Sequence, residues 1–340
     1  MKLFDPVVAE SKMHANFRSV LATGNGYNLD VLHDWARGFV DRDGKFVEEF
    51  QTTFNSSFWE LYLFSVLKKY GMPVDFSKNR PDFCVPSLNF NIEVTIASNA
   101  QGAEPEYARL GKQPPADLNA FNLKTILRLS NSLSAKHRMY VESYAALDHV
   151  KDAVYVVAVT NFDQPFSFMA CQRPIEAVLH GYYVDEERYI ASEGRDGRLQ
   201  GGELLQVFKE NGSSVELGLF TTPAYREISA VIFSNCANMG KVRALSADPN
   251  PNIFFTALRL NPASDQPHLI QKPKQGYEEN LLDGLRIYHN PYAVHPLDPA
   301  LFRHRSVFQS YYANNDWVYE QREGQLLSRS VQTTLPNKLV

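Results

Sequence analysis

The chain is poor in cysteine, has no long apolar run and shows no excess of one charge. Its three cysteines, Cys84, Cys171 and Cys236, are far apart and odd in number. That spacing excludes a disulfide framework and any CxxC zinc site, and fits a reducing, cytoplasmic setting. No apolar stretch approaches the ~18 residues of a spanning helix, and the N-terminal segment lacks a charged-then-apolar leader pattern, so neither a membrane span nor a signal segment is expected. Lys plus Arg number 34 and Asp plus Glu 38, a net charge of −4. A nucleic-acid contact therefore has to be a local basic patch. There is no internal repeat, no low-complexity run, no GxSxG and no cysteine-hydrolase signature. Gly24-Asn25-Gly26 is only a fragment of a phosphate loop, because Leu29 stands where the third glycine would fall; it reads as a turn.

What is present is a globular composition, 44% hydrophobic and 21% charged over 340 residues, enough for roughly two domains at ~150 residues each. Phe50, Phe54, Phe58 and Leu61 recur at helical spacing, so a helix is predicted over 47–70, stopped by Gly71. Three short extended segments follow, at 73–76, 82–85 and 90–97. In the third, Phe90, Ile92, Val94 and Ile96 lie on one face and Asn91, Glu93 and Thr95 on the other. A loop at 98–115 leads to a second long helix over 118–140. The apolar run at 153–160 suits a strand buried on both faces. Beyond it a helix is predicted at 174–180, a surface excursion at 185–202, strands at 215–220, 228–233 and 253–258, proline-rich connections at 261–277 and 289–299, and a mobile polar tail.

The residues with most chemical content are Glu60, Asp82 and Glu93. Asp82 opens one short strand and Glu93 sits on the polar face of the next, so the two can face each other across a hairpin with Cβ atoms ~5 Å apart. Glu60 lies on the preceding helix beside Ser57, Ser56 and Thr53. Three carboxylates are donors for a hard dication. Taken singly, Pro81-Asp82 is also ordinary turn chemistry and Glu93 an ordinary solvated strand residue.

This order, a helix with Glu60, a hairpin with Pro81-Asp82, a strand with Glu93-Val94-Thr95, then a basic helix and an apolar strand, resembles the PD-(D/E)xK nuclease superfamily. The resemblance covers roughly residues 47–160. It implies an α/β fold with a restriction-endonuclease-like αβββαβ core around a mixed sheet. It also implies Asp82 and Glu93 as metal ligands with Glu60 as an accessory one, Mg²⁺ or Mn²⁺ as cofactor, and DNA or RNA as substrate. The family's lysine would stand at position 95, where this chain has Thr95. Lys124 on the following helix is the first choice to replace it, ahead of Lys78.

Between Tyr107 and Tyr140 there are six basic residues (Arg109, Lys112, Lys124, Arg128, Lys136, Arg138) and one acidic residue, Asp117. Lys124, Arg128 and Arg138 fall within an arc of about 80° on one helix face. Lys124, Arg128, Lys136 and Arg138 are the candidate phosphate contacts, although a solvated helix face has the same pattern. His289, His295 and His304 match no zinc spacing and read as loop residues packed with aromatic neighbours. The expected organisation is an N-terminal extension (1–45), a nuclease-like core (46–165) and a C-terminal α+β extension (166–340) that packs on or extends the core sheet, since no linker separates them. The expected function is a metal-dependent nuclease with Asp82, Glu93 and Lys124 as catalytic residues. The rival is a catalytically inactive nucleic-acid-binding or protein-interaction module, favoured by Thr95.

Overall fold

Two adjacent threonines divide the first aromatic helix. Thr52 and Thr53 turn their hydroxyls back to donate to the carbonyls of Glu48 and Glu49, at 2.9 and 3.0 Å. Such local bonding competes with the helical ladder, and Thr53 leaves the helical region at φ −120°, ψ 46°. The computed structural model describes residues 1–23, 26–109, 111–192, 200–264 and 266–334. In it the first 45 residues, which read as mixed, contain α1 (Ala15–Thr23) and α2 (Gly26–Ala36); α3 (Phe46–Thr52) and α4 (Phe54–Lys69) flank the break. Gly24 and Asn25, read as a turn, lie outside the described residues. α4 ends at Gly71, φ +67°. The Gly71 amide donates to Lys68 O and the Met72 amide to Leu67 O, a left-handed cap that glycine adopts without steric penalty.

The chain continues through β1 (Phe83–Val85), β2 (Phe90–Ile96), α5 (Leu118–Met139) and β3 (Val154–Thr160). The extended segment predicted at 73–76 is not a strand. Its one ladder-like bond runs from the Asp75 amide to Cys84 O, Pro73 has no amide proton to offer, and Phe76 is drawn into an aromatic cluster with Phe39 and Phe64. Two strands, not three, therefore precede α5. The second half holds α6 (Arg173–His180), β4 (Tyr182–Val184), α7 (Glu186–Ala191), β5 (Gly201–Glu203), β6 (Gln206–Phe208) and β7 (Ser214–Glu216). It then adds β8 (Ala230–Phe233), α8 (Met239–Leu245), β9 (Ile253–Arg259), β10 (His268–Pro273), β11 (Arg286–His289), β12 (Phe308–Ala313), β13 (Asp316–Glu320) and β14 (Leu326–Thr333).

Seven strands form one mixed sheet in the order β1-β2-β3-β8-β11-β12-β13. β2, β3 and β8 run parallel, with α5 as the crossover from β2 to β3. Strands of the C-terminal half thus extend the same sheet. One face packs against α2, α3 and α4 through Phe58, Trp59, Phe90, Ile92, Val156 and Ala158. The other packs against α5 and α6 through Leu129, Leu133, Tyr155, Val157 and Ile175. The fully apolar β3 serves both cores, as its sequence predicts.

Three expectations fail in the C-terminal half. The segment 261–277, read as a connection, contains β10, which pairs with β9 from His268↔Arg259 to Pro273↔Phe254. The tail contributes β14, which completes the three-stranded sheet on the other side of β9; residues 335–340 lie outside the described residues. The strand predicted at 215–220 shrinks to Ser214–Glu216. Residues 193–199 of the predicted excursion are also outside the described residues. Among the described residues no helix is long and apolar enough to cross a membrane.

Candidate active site

The β1–β2 hairpin brings Asp82 and Glu93 together. Its register pairs Phe83 with Ile92, and Asp82 stands just before β1 at the edge of the hairpin, where its charge acts on Glu93 and it lines a cavity with Glu60. Asp82 Oδ2 accepts a hydrogen bond from the Val94 amide at 2.7 Å. That amide lies past the end of β1, and the carboxylate continues the ladder where the strand has stopped. Asp82 Oδ1 faces Arg42 Nη2 at 4.0 Å, and the Asp82 side chain keeps 29% of its exposure.

Glu93 is nearly enclosed, with 5% side-chain exposure. Lys136 Nζ donates to its Oε1 at 2.6 Å. The Tyr144 hydroxyl lies beside this carboxylate and favours its charged form. Tyr144 is brought there by a wide π-type turn, Tyr140–Tyr144, that continues α5, closed by the Ala145 amide on Tyr140 O. Burial, then the Asp82 charge, push Glu93 up to about 7; Lys136 and Tyr144 act the other way. Burial also raises Asp82, against the Val94 amide, Lys136 and Arg42. Glu60 is pushed up to about 8, first by burial and next by the charge of Asp82, with Arg42 opposing. Each carboxylate is thus held above its ordinary range in a site where acids outnumber cations.

Lys136, not Lys124, is the ammonium at the acids. Lys124 is exposed and lies about 18 Å further along α5, at 1.5 Å per residue. The separation follows from helical phase. Lys136 stands seven residues after Leu129 and four after Ser132, whose hydroxyl donates to Ile96 O, so it lies on the sheet-facing stripe. Of the other proposed phosphate contacts, Arg138 is exposed and Arg128 half-buried. Lys78 meets the site through its carbonyl, which accepts from Arg42 Nη1 at 2.6 Å. Arg42 carries no local sequence signal; it sits in the connection after α2 and reaches the hairpin only through the fold.

A cavity of about 390 Å³ opens beside Asp82 and Glu60, lined also by Phe39, Asp41, Arg42 and Glu49. The oxygen-only donor set suits a hard dication, and three crowded carboxylates against Lys136 and Arg42 leave negative charge for one to neutralise. Among the described residues, no three His, Cys, Asp or Glu side chains are already gathered as a metal-holding group. Asp82 and Glu93 are neighbours at the hairpin, and Glu60 approaches them from α4. His289 serves the fold, its Nε2 within 2.9 Å of Gln309 Oε1.

Comparison of the chain with protein-family models, curated proteins and solved structures gives no match.

Proposed function

We propose that the chain is a metal-dependent phosphodiesterase of the nuclease type, related in its site to the PD-(D/E)xK enzymes, with nucleic acid as substrate. The observation that carries this reading is the Lys136 ammonium on Glu93, with Asp82 beside it at the hairpin. Asp82 and Glu93 are the residues that would hold Mg²⁺ or Mn²⁺, with Glu60 able to join from α4. The bound ion would supply an acidified water and a Lewis acid for a phosphoryl oxygen. Lys136 brings a positive charge to the point where negative charge develops on the phosphoryl group, in place of the lysine missing at Thr95. Tyr144 favours the charged form of Glu93. Lys124, Arg128 and Arg138 form the basic face that would track the backbone.

Cleavage of single- and double-stranded DNA and RNA with Mg²⁺ or Mn²⁺ tests the reading. Wild type should cut at least one of these substrates, and Glu93→Gln and Asp82→Asn should not. No cleavage of any of them by wild type would sink it. A second reading is favoured by the 2.6 Å Lys136–Glu93 contact, which already neutralises Glu93, and by Thr95. This is a nucleic-acid-binding or protein-interaction module on a nuclease-like frame, which would bind without cutting.

A further inference from the structure

Arg42 enters the site from outside the segment on which the nuclease resemblance rests. Its Nη1 donates to the carbonyls of Lys78 and Pro81, at 2.6 and 3.4 Å. Those bonds tie the guanidinium to the turn that carries Asp82. Nη2 is 4.0 Å from Asp82 Oδ1, close enough for charge pairing and too far for a hydrogen bond. Asp82 already takes the Val94 amide on its other oxygen. Among the described residues, Nε and Nη2 donate no hydrogen bond. The arginine is nevertheless no surface residue: its side chain is 18% exposed.

The unused edge of the fork has a defined chemistry. Nε–H and one Nη2–H lie side by side in the guanidinium plane, the geometry that grips two oxygens of one phosphate. Among the described residues, Arg42 is also the one cation lining the 390 Å³ cavity, beside Asp41, Asp43, Glu49, Glu60 and Asp82. Asp41, Asp43, Glu49 and Asp82 on the same wall repel a phosphate, so Arg42 can hold one only where a bound dication offsets them, and it is the group on this wall that attracts it. We infer that Arg42 is a substrate-binding residue whose Nε–Nη2 edge takes a phosphate group of the nucleic acid beside Asp82. The inference rests on the reading of Asp82 and Glu93 as the reacting centre. It adds that the 1–45 segment belongs to the site and that a phosphate is held on the Glu60 side of Asp82 as well as the Lys136 side.

The test uses the full chain and its Arg42→Ala and Arg42→Lys variants. Binding of a labelled single-stranded DNA oligonucleotide is measured in Ca²⁺, and cleavage of the same strand in Mn²⁺. Exchange protection of the Val94 amide reports whether Asp82 is still seated. Loss of a bidentate charged contact predicts a rise of about tenfold or more in Kd and KM for Arg42→Ala, with kcat changed less than about threefold. Arg42→Lys keeps the charge but not the edge, and should lie closer to alanine than to wild type while Val94 stays protected. Unchanged Kd and KM in Arg42→Ala overturn the inference, and the nuclease reading survives if wild type cuts. Lost Val94 protection with a fall in kcat alone also overturns it, making Arg42 a structural counter-ion of Asp82. Arg42-dependent binding by a wild type that cuts nothing supports Arg42 as a phosphate contact and overturns its placement beside a reacting centre, together with the nuclease reading. A wild type that neither binds nor cuts any of the four substrates, DNA or RNA, single- or double-stranded, removes both.

Discussion

Lys136 and Glu93 form an ion pair of 2.6 Å between the sheet-facing side of α5 and the second strand of the hairpin. With side-chain exposures of 18% and 5%, neither is a freely solvated surface charge, so the pair is screened less than a surface bridge. Lys136→Ala should therefore act differently from Lys124→Ala. Removing Lys136 is expected to lower kcat by ~10²–10³ with a smaller change in KM, the usual effect of deleting a group that stabilises developing charge. Removing the exposed Lys124 should leave kcat within about twofold and change only binding. Steady-state kinetics on one oligonucleotide decides it; equal losses from both variants would reject Lys136 as the acting ammonium.

Thr95 provides a reciprocal test. It lies two residues after Glu93 and points to the same side of β2, the position from which the family's lysine would act. Adding Thr95→Lys to Lys136→Ala should recover a substantial part of the lost rate, since either route delivers one ammonium to the same carboxylates. In the wild-type background the same change puts two ammonium groups on Glu93 and should give no gain. Failure of the double variant to exceed Lys136→Ala would mean that the charge is needed on the helix side.

The outer face of α5 makes a separate prediction. Reversing charge at Lys124 and Arg128 should weaken nucleic-acid binding and reduce the slope of log K against log salt by roughly 0.9 for each phosphate contact removed from duplex DNA. A titration at three salt concentrations reads the change. An unchanged slope returns this face to the role of a solvated helix surface.

These contrasts also mark what the sequence could convey. The alternation of Phe90–Ile96 and the spacing of Asp82 from Glu93 determine a two-strand register, and that pairing was legible. The apolar run of β3 and the length of α5 were legible for the same reason, a strong local period. Lys136 is visible in the sequence only as one more basic residue; its place at the acids follows from the helical phase it shares with Leu129 and Leu133, which the basic arc of Lys124, Arg128 and Arg138 does not show. Arg42 was not legible: the nearest acid it meets, Asp82, is forty residues on, and no periodic pattern links them. β10 escapes because it is a polar, mostly exposed strand held by its pairing with β9, and β14 because its buried positions include Ser328 and Arg329 beside Leu326, which blurs the apolar alternation. The break at Thr53 was in reach, since two successive β-branched hydroxyl residues often compete with a helix.

The three-stranded sheet is joined to the main body by a buried charge network, and this gives the stability prediction. Glu279 is enclosed with Lys241 and Arg329, side-chain exposures 0%, 0% and 1%. Arg329 Nε donates to Glu279 Oε2 at 3.0 Å, Lys241 Nζ donates to Oε1, and the Tyr277 hydroxyl donates to Oε2 at 2.7 Å. Burial by itself would raise the Glu279 carboxyl, but Arg329 and Lys241 outweigh it and hold it at about 2. Glu279→Gln leaves two buried cations without their counter-charge, a change that typically costs ~3–5 kcal/mol. Because the folded carboxyl titrates below its unfolded value, the folded state binds fewer protons there than the unfolded state. The stabilisation is then complete above the ordinary carboxylate range of about 4.3 and is lost as pH falls from there toward 2. Urea unfolding of wild type and Glu279→Gln at pH 7, 4 and 3 should give a gap that is widest at pH 7 and narrows at each step down. A gap that stays constant across this window would mean that Glu279 binds protons alike in the folded and unfolded chains, so that its charge is not what joins the two sheets.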